Sequence, residues 1–293
     1  MKSILKIVAV VMVVGVLCVA TVALATDFVW DANSVQTSWL TPAHWDLDDS
    51  YPQNANDNAT IDAAGNLCTF DPGSALTINN LTLAAASPTK RKLHIKDAAL
   101  TVANLDLNDY AELDVDQDLT VTGTTTLAGD IFIEVAVSTT FDMEDVAVAG
   151  ASTSVGGIGI GTIKADEVVI DAETDGASRT LKWSAGTLDI ENQLSLTSSQ
   201  TANTYISKLW VYKGTFAIAA AGNGVLKVDG GNDPSRRAEL DIDGPLTAEQ
   251  TDFEDGYVTI DVASLQTATG GDVVFKAGAI VTKTGSGTFK SGA

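Results

Sequence analysis

Apolar and polar residues alternate along most of this chain, and one form of the alternation recurs three times between residues 74 and 127. In the copies that begin at Leu76 and Leu100 the apolar residues lie two positions apart, then three, then two, and the copy that begins at Leu119 keeps the first two-residue step. Two-residue spacing places side chains on one face of a strand, and the three-residue step turns a corner while the next strand still faces inward. The copies begin 24 and then 19 residues apart. Such a period predicts a β-solenoid, in which each coil stacks on the previous one.

A second repeat extends this pattern into the C-terminal half. Residues 181–190 align without gaps on residues 209–218, which lie 28 positions later. The alignment directs Trp183 inward, whereas Trp210 and Tyr212 occupy outward positions two residues apart on one strand. We expect these two rings to form a flat, exposed aromatic pair, which makes them the candidate site for a glycan.

Three of the five tryptophans, Trp30, Trp39 and Trp45, occur within sixteen residues near the start of the chain. The first coil of a solenoid has no preceding coil over its apolar end. Large aromatic side chains folded over that end would exclude water and block edge-to-edge pairing. We therefore predict an N-terminal aromatic capping segment over residues 26–62. An aromatic sugar-binding platform is the alternative.

The first 25 residues have the features of a secretory signal peptide. Two lysines precede an apolar run over residues 7–24, and alanines occupy positions 23 and 25. This arrangement predicts cleavage before Thr26. The apolar run is nearly long enough to span a membrane, so an uncleaved anchor is the alternative, but the small residues favour cleavage. We expect a secreted or cell-surface protein with no membrane segment in its mature form.

Charge and cysteine content restrict the function classes. Without Lys2 and Lys6 the chain has 38 acidic and 15 basic side chains, and so a net charge of −23. Such a surface repels nucleic acid and anionic lipid, so neither is expected as a partner. Cys68 is the only cysteine outside the predicted signal peptide, which excludes an intramolecular disulfide there. Stability must therefore come from the stacking of coils.

Two stretches of the sequence resemble known secreted β-solenoids. The first resembles an opening segment of secreted bacterial β-solenoid proteins, with matching residues at Trp30, Trp39, Trp45, Pro52, Asp57, Ala59 and Ile61. The second, near the C-terminus, resembles the autotransporter-associated β-strand repeat, with matches at Lys283, Gly285, Gly287, Thr288 and Gly292. In this stretch Phe289 replaces an aliphatic residue and Ser291 lies one place early. The resemblance implies a secreted right-handed β-helix of the passenger type, often an adhesin.

No catalytic motif stands out among the histidines and acids. His44 lies in the predicted cap and His94 points outward, and neither has a neighbouring nucleophile motif. Cys68 is expected to be a small buried residue rather than a reactive thiol. We therefore predict no enzymatic activity. A β-helical polysaccharide lyase or glycoside hydrolase remains an alternative, because solenoid faces can align carboxylates.

Calcium is the one cofactor that the sequence leaves open. Asp241 and Asp243 fall near the spacing of a calcium-binding loop, and Asp114 and Asp116 have the same separation. However, the loop lacks its opening Asp, its closing Glu and helical flanks. Strand alternation gives the Asp-x-Asp spacing without any metal. Asp241 and Asp243 are thus the candidate calcium ligands, with solvated strand residues as the alternative.

These observations predict an all-β protein, a right-handed parallel β-helix with an N-terminal aromatic cap. The solenoid is expected to occupy residues 63–293 and to stop in mid-pattern, with its C-terminal coil open. The leading function is that of an exported structural or surface protein in adhesion, extracellular matrix or self-assembly, with self-association through the open coil. A carbohydrate-binding module is the first alternative, with a polysaccharide or cell-surface glycan as its partner.

Overall fold

A computed structural model describes residues 25–30, 38–62, 67–84, 91–159, 161–172, 177–198, 205–218, 224–262 and 272–287. The predicted signal peptide lies outside these residues except for Ala25, and so does the part of the C-terminal motif that follows Gly287. The described chain is almost entirely β-structure. Two short 3-10 turns, Pro42–His44 and Pro234–Arg236, are its only helical segments.

The strands are short and follow one another along the described chain. In order they are β1 (Asp27–Val29), β2 (Asn58–Ile61), β3 (Leu67–Phe70), β4 (Leu76–Leu83), β5 (Arg91–Ile95), β6 (Leu100–Leu107), β7 (Ala111–Val115), β8 (Leu119–Val121), β9 (Thr124–Leu127), β10 (Asp130–Val135), β11 (Thr140–Asp142), β12 (Asp145–Val148), β13 (Thr153–Gly159), β14 (Thr162–Asp171), β15 (Arg179–Ser184), β16 (Thr187–Thr197), β17 (Ser207–Val211), β18 (Thr215–Ile218), β19 (Val225–Asp229), β20 (Ala238–Ile242), β21 (Leu246–Ala248), β22 (Gln250–Phe253), β23 (Tyr257–Val262), β24 (Asp272–Phe275) and β25 (Ile280–Thr284).

These strands form two parallel sheets. The large sheet has 15 strands, and its main path runs β1-β2-β4-β6-β8-β11-β14-β16-β19-β22-β24. The small sheet has 10 strands in the order β3-β5-β7-β10-β13-β15-β17-β20-β23-β25. From β3 onward the chain passes back and forth between the two sheets, with one or two consecutive strands in the large sheet for each strand in the small one. Each strand pairs with its counterpart one coil away. The fold is therefore a parallel β-solenoid of about 8 turns, as the repeat predicts. Its handedness stays a prediction.

The registers of the strands reproduce the first sequence repeat. In β4 and β6, Leu81 pairs with Leu105 and Leu83 with Leu107, and Leu107 pairs in turn with Leu127 of β9. These leucines are fully buried. Each buried aliphatic side chain contributes roughly 1.5–3 kcal/mol, so stacked ladders of this kind supply the main stabilising term.

One inward position of the third copy carries a threonine. Thr125 is fully buried in register with Leu105, and its hydroxyl donates to the carbonyl oxygen of Met143 at 2.7 Å. A buried hydroxyl with a partner avoids the free-energy cost of an unmade hydrogen bond. The repeat thus tolerates a polar residue inside, provided that a neighbouring coil supplies an acceptor.

The second repeat also stacks in the predicted register. Lys182 of β15 pairs with Trp210 of β17, and Trp183 pairs with Val211. Trp183 is fully buried, and its ring meets that of Phe216 edge to face at 5.8 Å. Trp210 lies on the outer face and is half-buried. The assignment of inward and outward aromatic residues is therefore confirmed.

The three N-terminal tryptophans form one buried aromatic cluster. Trp45 lies at its centre, with ring centroids 5.1 Å from Trp30, 4.7 Å from Trp39 and 6.2 Å from Phe28. Trp39 in turn contacts Phe70 of β3, an outermost strand of the small sheet, at 5.2 Å. The same segment contributes β1 and β2 to the large sheet, so it also continues the solenoid. The capping role of the cluster stays a prediction.

An asparagine ladder runs across the first strands of the large sheet. Asn80 Nδ2 donates to Asn58 Oδ1 at 2.9 Å, and Asn104 Nδ2 donates to Asn80 Oδ1 at 2.8 Å. Asn58 Nδ2 donates to Asp27 Oδ1, and the backbone N–H of Thr124 donates to Asn104 Oδ1 at the other end. These hydrogen bonds link β1, β2, β4, β6 and β9, and in β4 and β6 they lie within a continuous strand, at the three-residue step of the apolar spacing.

Replacing Asn80 by alanine should lower the free energy of unfolding by about 1 kcal/mol, because the change removes one acceptor and one donor from the middle of the ladder. Urea denaturation followed by circular dichroism measures the loss. Thr82→Ala in the same strand is the control and should have a smaller effect. Equal losses for the two variants would show that the ladder adds nothing beyond its local side chain.

Candidate functional site

The outer face of the small sheet carries most of the chemically distinctive side chains. Strand registers align Lys182, Trp210, Asp241 and Asp261 in one ladder across β15, β17, β20 and β23. Side chains at such positions contact their neighbours on adjacent strands. Sequence spacing within one strand does not reveal these cross-strand partners, and they determine what the candidate residues can do.

The aromatic pair is present but is not flat. The ring centroids of Trp210 and Tyr212 are 5.2 Å apart, and their planes cross at 64° in an edge-to-face arrangement. The Lys182 ammonium lies over both rings, 4.2 Å from one centroid and 4.3 Å from the other. A cation held on two ring faces contributes about 0.5–1 kcal/mol at an exposed site. A ligand stacking on these faces must share them with Lys182 or displace it.

The two candidate calcium ligands each have a partner on the same face. Asp243 Oδ2 accepts from the indole Nε1 of Trp210 at 3.0 Å, and Asp241 Oδ2 accepts from Lys208 Nζ at 2.9 Å. Burial opposes the charge of Lys208, but hydrogen bonds and charge from Asp241 and Glu239 outweigh it and raise the pKa of its ammonium. The structure therefore places an ammonium on Asp241, and calcium binding by Asp241 and Asp243 stays a prediction.

A second cluster, formed by His94, Asp114 and Asp116, is more compact. His94 in β5 is in register with Asp114 in β7, and Asp116 follows two residues later on the same face. His94 Nε2 lies 2.7 Å from Asp116 Oδ2 and 3.9 Å from Asp114 Oδ2. One nitrogen and two carboxylate oxygens lie within 4.8 Å of one another. In the part of the chain that the structure describes, this is the group of three side chains best placed to hold a metal ion.

The sequence contained a signal for this cluster, but the signal is lost when each motif is considered separately. His94 lies between Leu93 and Ile95, and Asp114 lies between Leu113 and Val115 in the same alternation, 20 residues later. Aligning these two stretches as successive coils would have placed the imidazole beside the carboxylate. Lys92 lies two residues before His94 in β5 and also contacts Asp114. Burial disfavours its charge, but Asp114 and Glu112 outweigh that effect and raise the pKa of the ammonium.

The other histidine of the chain lies inside the N-terminal aromatic cluster. His44 is buried, its ring meets that of Trp30 edge to face at 5.2 Å, and its Nδ1 lies 3.1 Å from the carbonyl oxygen of Ser38. These contacts place it inside the aromatic cluster rather than at an accessible surface.

Cys68 is fully buried in β3, as the sequence predicts. Desolvation by burial, with a smaller contribution from the charge of Asp71, raises the pKa of its thiol well above the ordinary value. At neutral pH the reactive thiolate is therefore scarce as well as shielded.

We expect Cys68 to react with a thiol-specific chromogenic disulfide only after denaturation, because the reagent needs an accessible thiolate. Absorbance of the released thiolate, followed in buffer and in guanidinium chloride, measures both rates on a chain that begins at residue 26 and so lacks Cys18. Free cysteine at the same concentration is the control. Rapid modification in buffer would show that the first coil opens under native conditions.

No family model matches the chain, and no match is found among curated proteins or solved structures. The resemblance to the autotransporter-associated repeat therefore stays a prediction. Within the described residues, no helix has the length and apolarity needed to cross a membrane.

Proposed function

We propose that this protein is an exported structural β-solenoid that assembles end to end through its C-terminal coil. The observation that carries this proposal is the exposure of apolar side chains in β24 and β25. Phe275 stacks on Phe253 with centroids 5.1 Å apart, yet it is 61% exposed, whereas Phe253 is fully buried. Val274 and Ile280 of the same coil are also exposed. Exposed apolar surface on successive strands is typical of an interaction site.

Strand register shows that Phe275 is exposed at a position that is buried in the earlier coils. Phe275 continues a ladder in which Leu196, Val228 and Phe253 are all fully buried. Among the described strands, β24 and β25 stand last in their sheets. Within the described residues no further strand pairs with their outer edges, and an unpaired strand edge is a template for a partner. A further layer over this coil would bury Phe275 as the earlier coils bury their counterparts.

The charges at the two ends favour a second copy as that layer. The C-terminal coil carries Lys276 and Lys283, and Lys283 is in register with the buried Ile260. Lys276 pairs with Glu254 and Asp252, and Lys283 Nζ donates to the carbonyl oxygens of Thr284 and Gly285. A partner that covers Lys283 should therefore bring a negative charge, since a buried ammonium with only neutral acceptors is costly. The N-terminal segment exposes Leu47, with Asp46, Asp48 and Asp49 beside it. Docking of this acidic end on the C-terminal coil joins two different surfaces of the chain, so the contact is heterologous. Heterologous contacts that do not close into a ring produce filaments.

The purified mature chain is expected to form oligomers whose mass grows with concentration. Light scattering after size exclusion and negative-stain electron microscopy measure the mass and show the shape. The double variant Phe275→Asp with Ile280→Asp should be monomeric, because two carboxylates would then face the acidic end of the next copy. Val137→Asp is the matched control, since Val137 is 65% exposed away from this coil. A native chain that is monomeric at every concentration would refute the proposal.

Glycan binding by Trp210 and Tyr212 is the second candidate function. It is favoured by the position of two half-buried aromatic side chains on the outer face, next to Asp243 and Lys208, which can bind hydroxyl groups. Pull-down with insoluble polysaccharides tests it. Binding should fall on Trp210→Ala and persist on Tyr110→Ala, a half-buried tyrosine elsewhere in the chain. Unchanged binding in Trp210→Ala would discard this site.

A further inference from the structure

We propose that His94, Asp114 and Asp116 form a binding site for a zinc-type divalent cation. This site is independent of end-to-end assembly and of the aromatic pair, since it lies on β5 and β7, far along the small sheet from β25. Its donors are one imidazole nitrogen and two carboxylate oxygens. Zn²⁺ takes this mixture of ligands in proteins, with three protein donors and a fourth position left to water.

The distances between the donors fit such an ion after small side-chain rotations. Tetrahedral Zn²⁺ with bonds near 2.1 Å separates its ligand atoms by about 3.4 Å. The separations from His94 Nε2 are 2.7 Å to Asp116 Oδ2 and 3.9 Å to Asp114 Oδ2, one below and one above that value. Rotations about the side-chain bonds that move the oxygens by less than about 1 Å bring both to ligand distance. In this state Nε2 binds the metal and the ring proton resides on Nδ1.

The backbone under the donors is fixed by the solenoid. His94 and Asp114 are register partners in parallel strands, and the backbone N–H of Asp116 donates to the carbonyl oxygen of Ile95 at 2.9 Å. The side chains of His94 and Asp114 are about four-fifths buried, at 19% and 18% exposure. Asp116 is 45% exposed, so ion binding has to order mainly this third side chain, whereas every donor on a mobile loop would have to be ordered.

The excess of acidic side chains around the cluster also favours a cation. Glu112, Asp114, Asp116 and Glu134 lie on adjacent positions of this face, with Lys92 as a basic neighbour. Lys92 Nζ lies 3.4 Å from Asp114 and 3.5 Å from Glu112. When Asp114 binds a metal, Lys92 can therefore keep Glu112 as its partner. The imidazole determines the kind of ion, since Ca²⁺ takes 6–8 oxygen ligands and Zn²⁺ accepts nitrogen.

Zn²⁺ titration of the untagged mature chain tests the site, with calorimetry for affinity and nitrogen-15 NMR of the imidazole rings for location. The chain has only two histidines, so the buried His44 is an internal reference. We expect the His94 ring signals to shift and those of His44 to stay. His94→Gln and Asp114→Asn should each weaken binding at least about tenfold, whereas Asp241→Asn should not. Excess Ca²⁺ should not displace the Zn²⁺.

Thermal unfolding of each variant verifies that it is folded before its affinity is compared. If the His94 signals do not move with Zn²⁺, the proposal is wrong. It is equally wrong if His94→Gln binds as tightly as the unsubstituted chain, because the cluster is then an ion pair only. Retention of Zn²⁺ binding in the monomeric Phe275→Asp, Ile280→Asp chain would show that the site acts without assembly.

Discussion

Replacing Trp45 by alanine is expected to lower the free energy of unfolding by about 3–5 kcal/mol. Trp45 is the residue that joins the N-terminal aromatic cluster, because its ring contacts those of Phe28, Trp30 and Trp39. Its indole Nε1 also donates to the carbonyl oxygen of Trp39 at 2.9 Å. The substitution therefore removes a fully buried side chain, three edge-to-face contacts and one buried hydrogen bond at once.

Guanidinium denaturation followed by tryptophan fluorescence and circular dichroism measures this loss. Val137→Ala is the control, since Val137 is 65% exposed, lies outside the cluster and the proposed end-to-end contact, and its truncation should change stability by less than about 0.5 kcal/mol. A loss below 1 kcal/mol for Trp45→Ala would mean that the cluster is not coupled to the solenoid. That outcome would also remove the basis for a capping role.

Hydrogen exchange on the Trp45→Ala chain separates two forms of destabilisation. Contacts in a solenoid are mainly between neighbouring coils, so damage at one end should open the nearest coils first. We expect faster exchange in β1–β4 and little change in β20–β23. Uniformly faster exchange would show instead that the whole solenoid unfolds as one unit.

The sequence predicts the inward and outward positions well, because stacking makes the apolar alternation of one coil repeat in the next. The gapless alignment of residues 181–190 on 209–218 gave both the burial of Trp183 and the strand register. The alternation within a single strand does not reveal contacts to which two strands contribute one side chain each. Neither the Lys182 contact with the aromatic pair nor the His94 cluster follows from spacing within a strand.

The asparagine ladder shows the same limit. Asn80 and Asn104 occupy equivalent positions in the first two copies of the repeat, so their stacking could have been anticipated from the alignment. Their hydrogen bonds could not have been anticipated, because an outward amide forms hydrogen bonds with water as readily as with another amide. Ring planes are also beyond sequence patterns. The 64° angle between Trp210 and Tyr212 occurs with the Lys182 ammonium over both rings, a contact that involves another strand.

The assembly proposal and the interior of the solenoid rest on one physical feature, the close fit of each coil to the next. Two adjacent glycines in β13 allow a direct test of how strict that fit is. Gly157 is in register with Ile133 of β10, and a methyl group added to it would overlap the carbonyl oxygen of Ile133. At Gly156 the nearest atom to an added methyl is Ser184 Oγ at 3.8 Å, an ordinary contact.

Gly157→Ala is therefore expected to lower the free energy of unfolding by about 3 kcal/mol, near the upper end for overpacking, because relief requires β10 and β13 to separate. Gly156→Ala should raise it by about 0.4–1 kcal/mol, since alanine reduces the conformational entropy of the unfolded chain. Neither glycine has a left-handed φ, so the comparison isolates steric fit from backbone strain. Paired denaturation curves measure both changes. Similar effects of the two substitutions would indicate that neighbouring coils have room to adjust, and a coil that can adjust would accept an end-to-end partner with much less specificity.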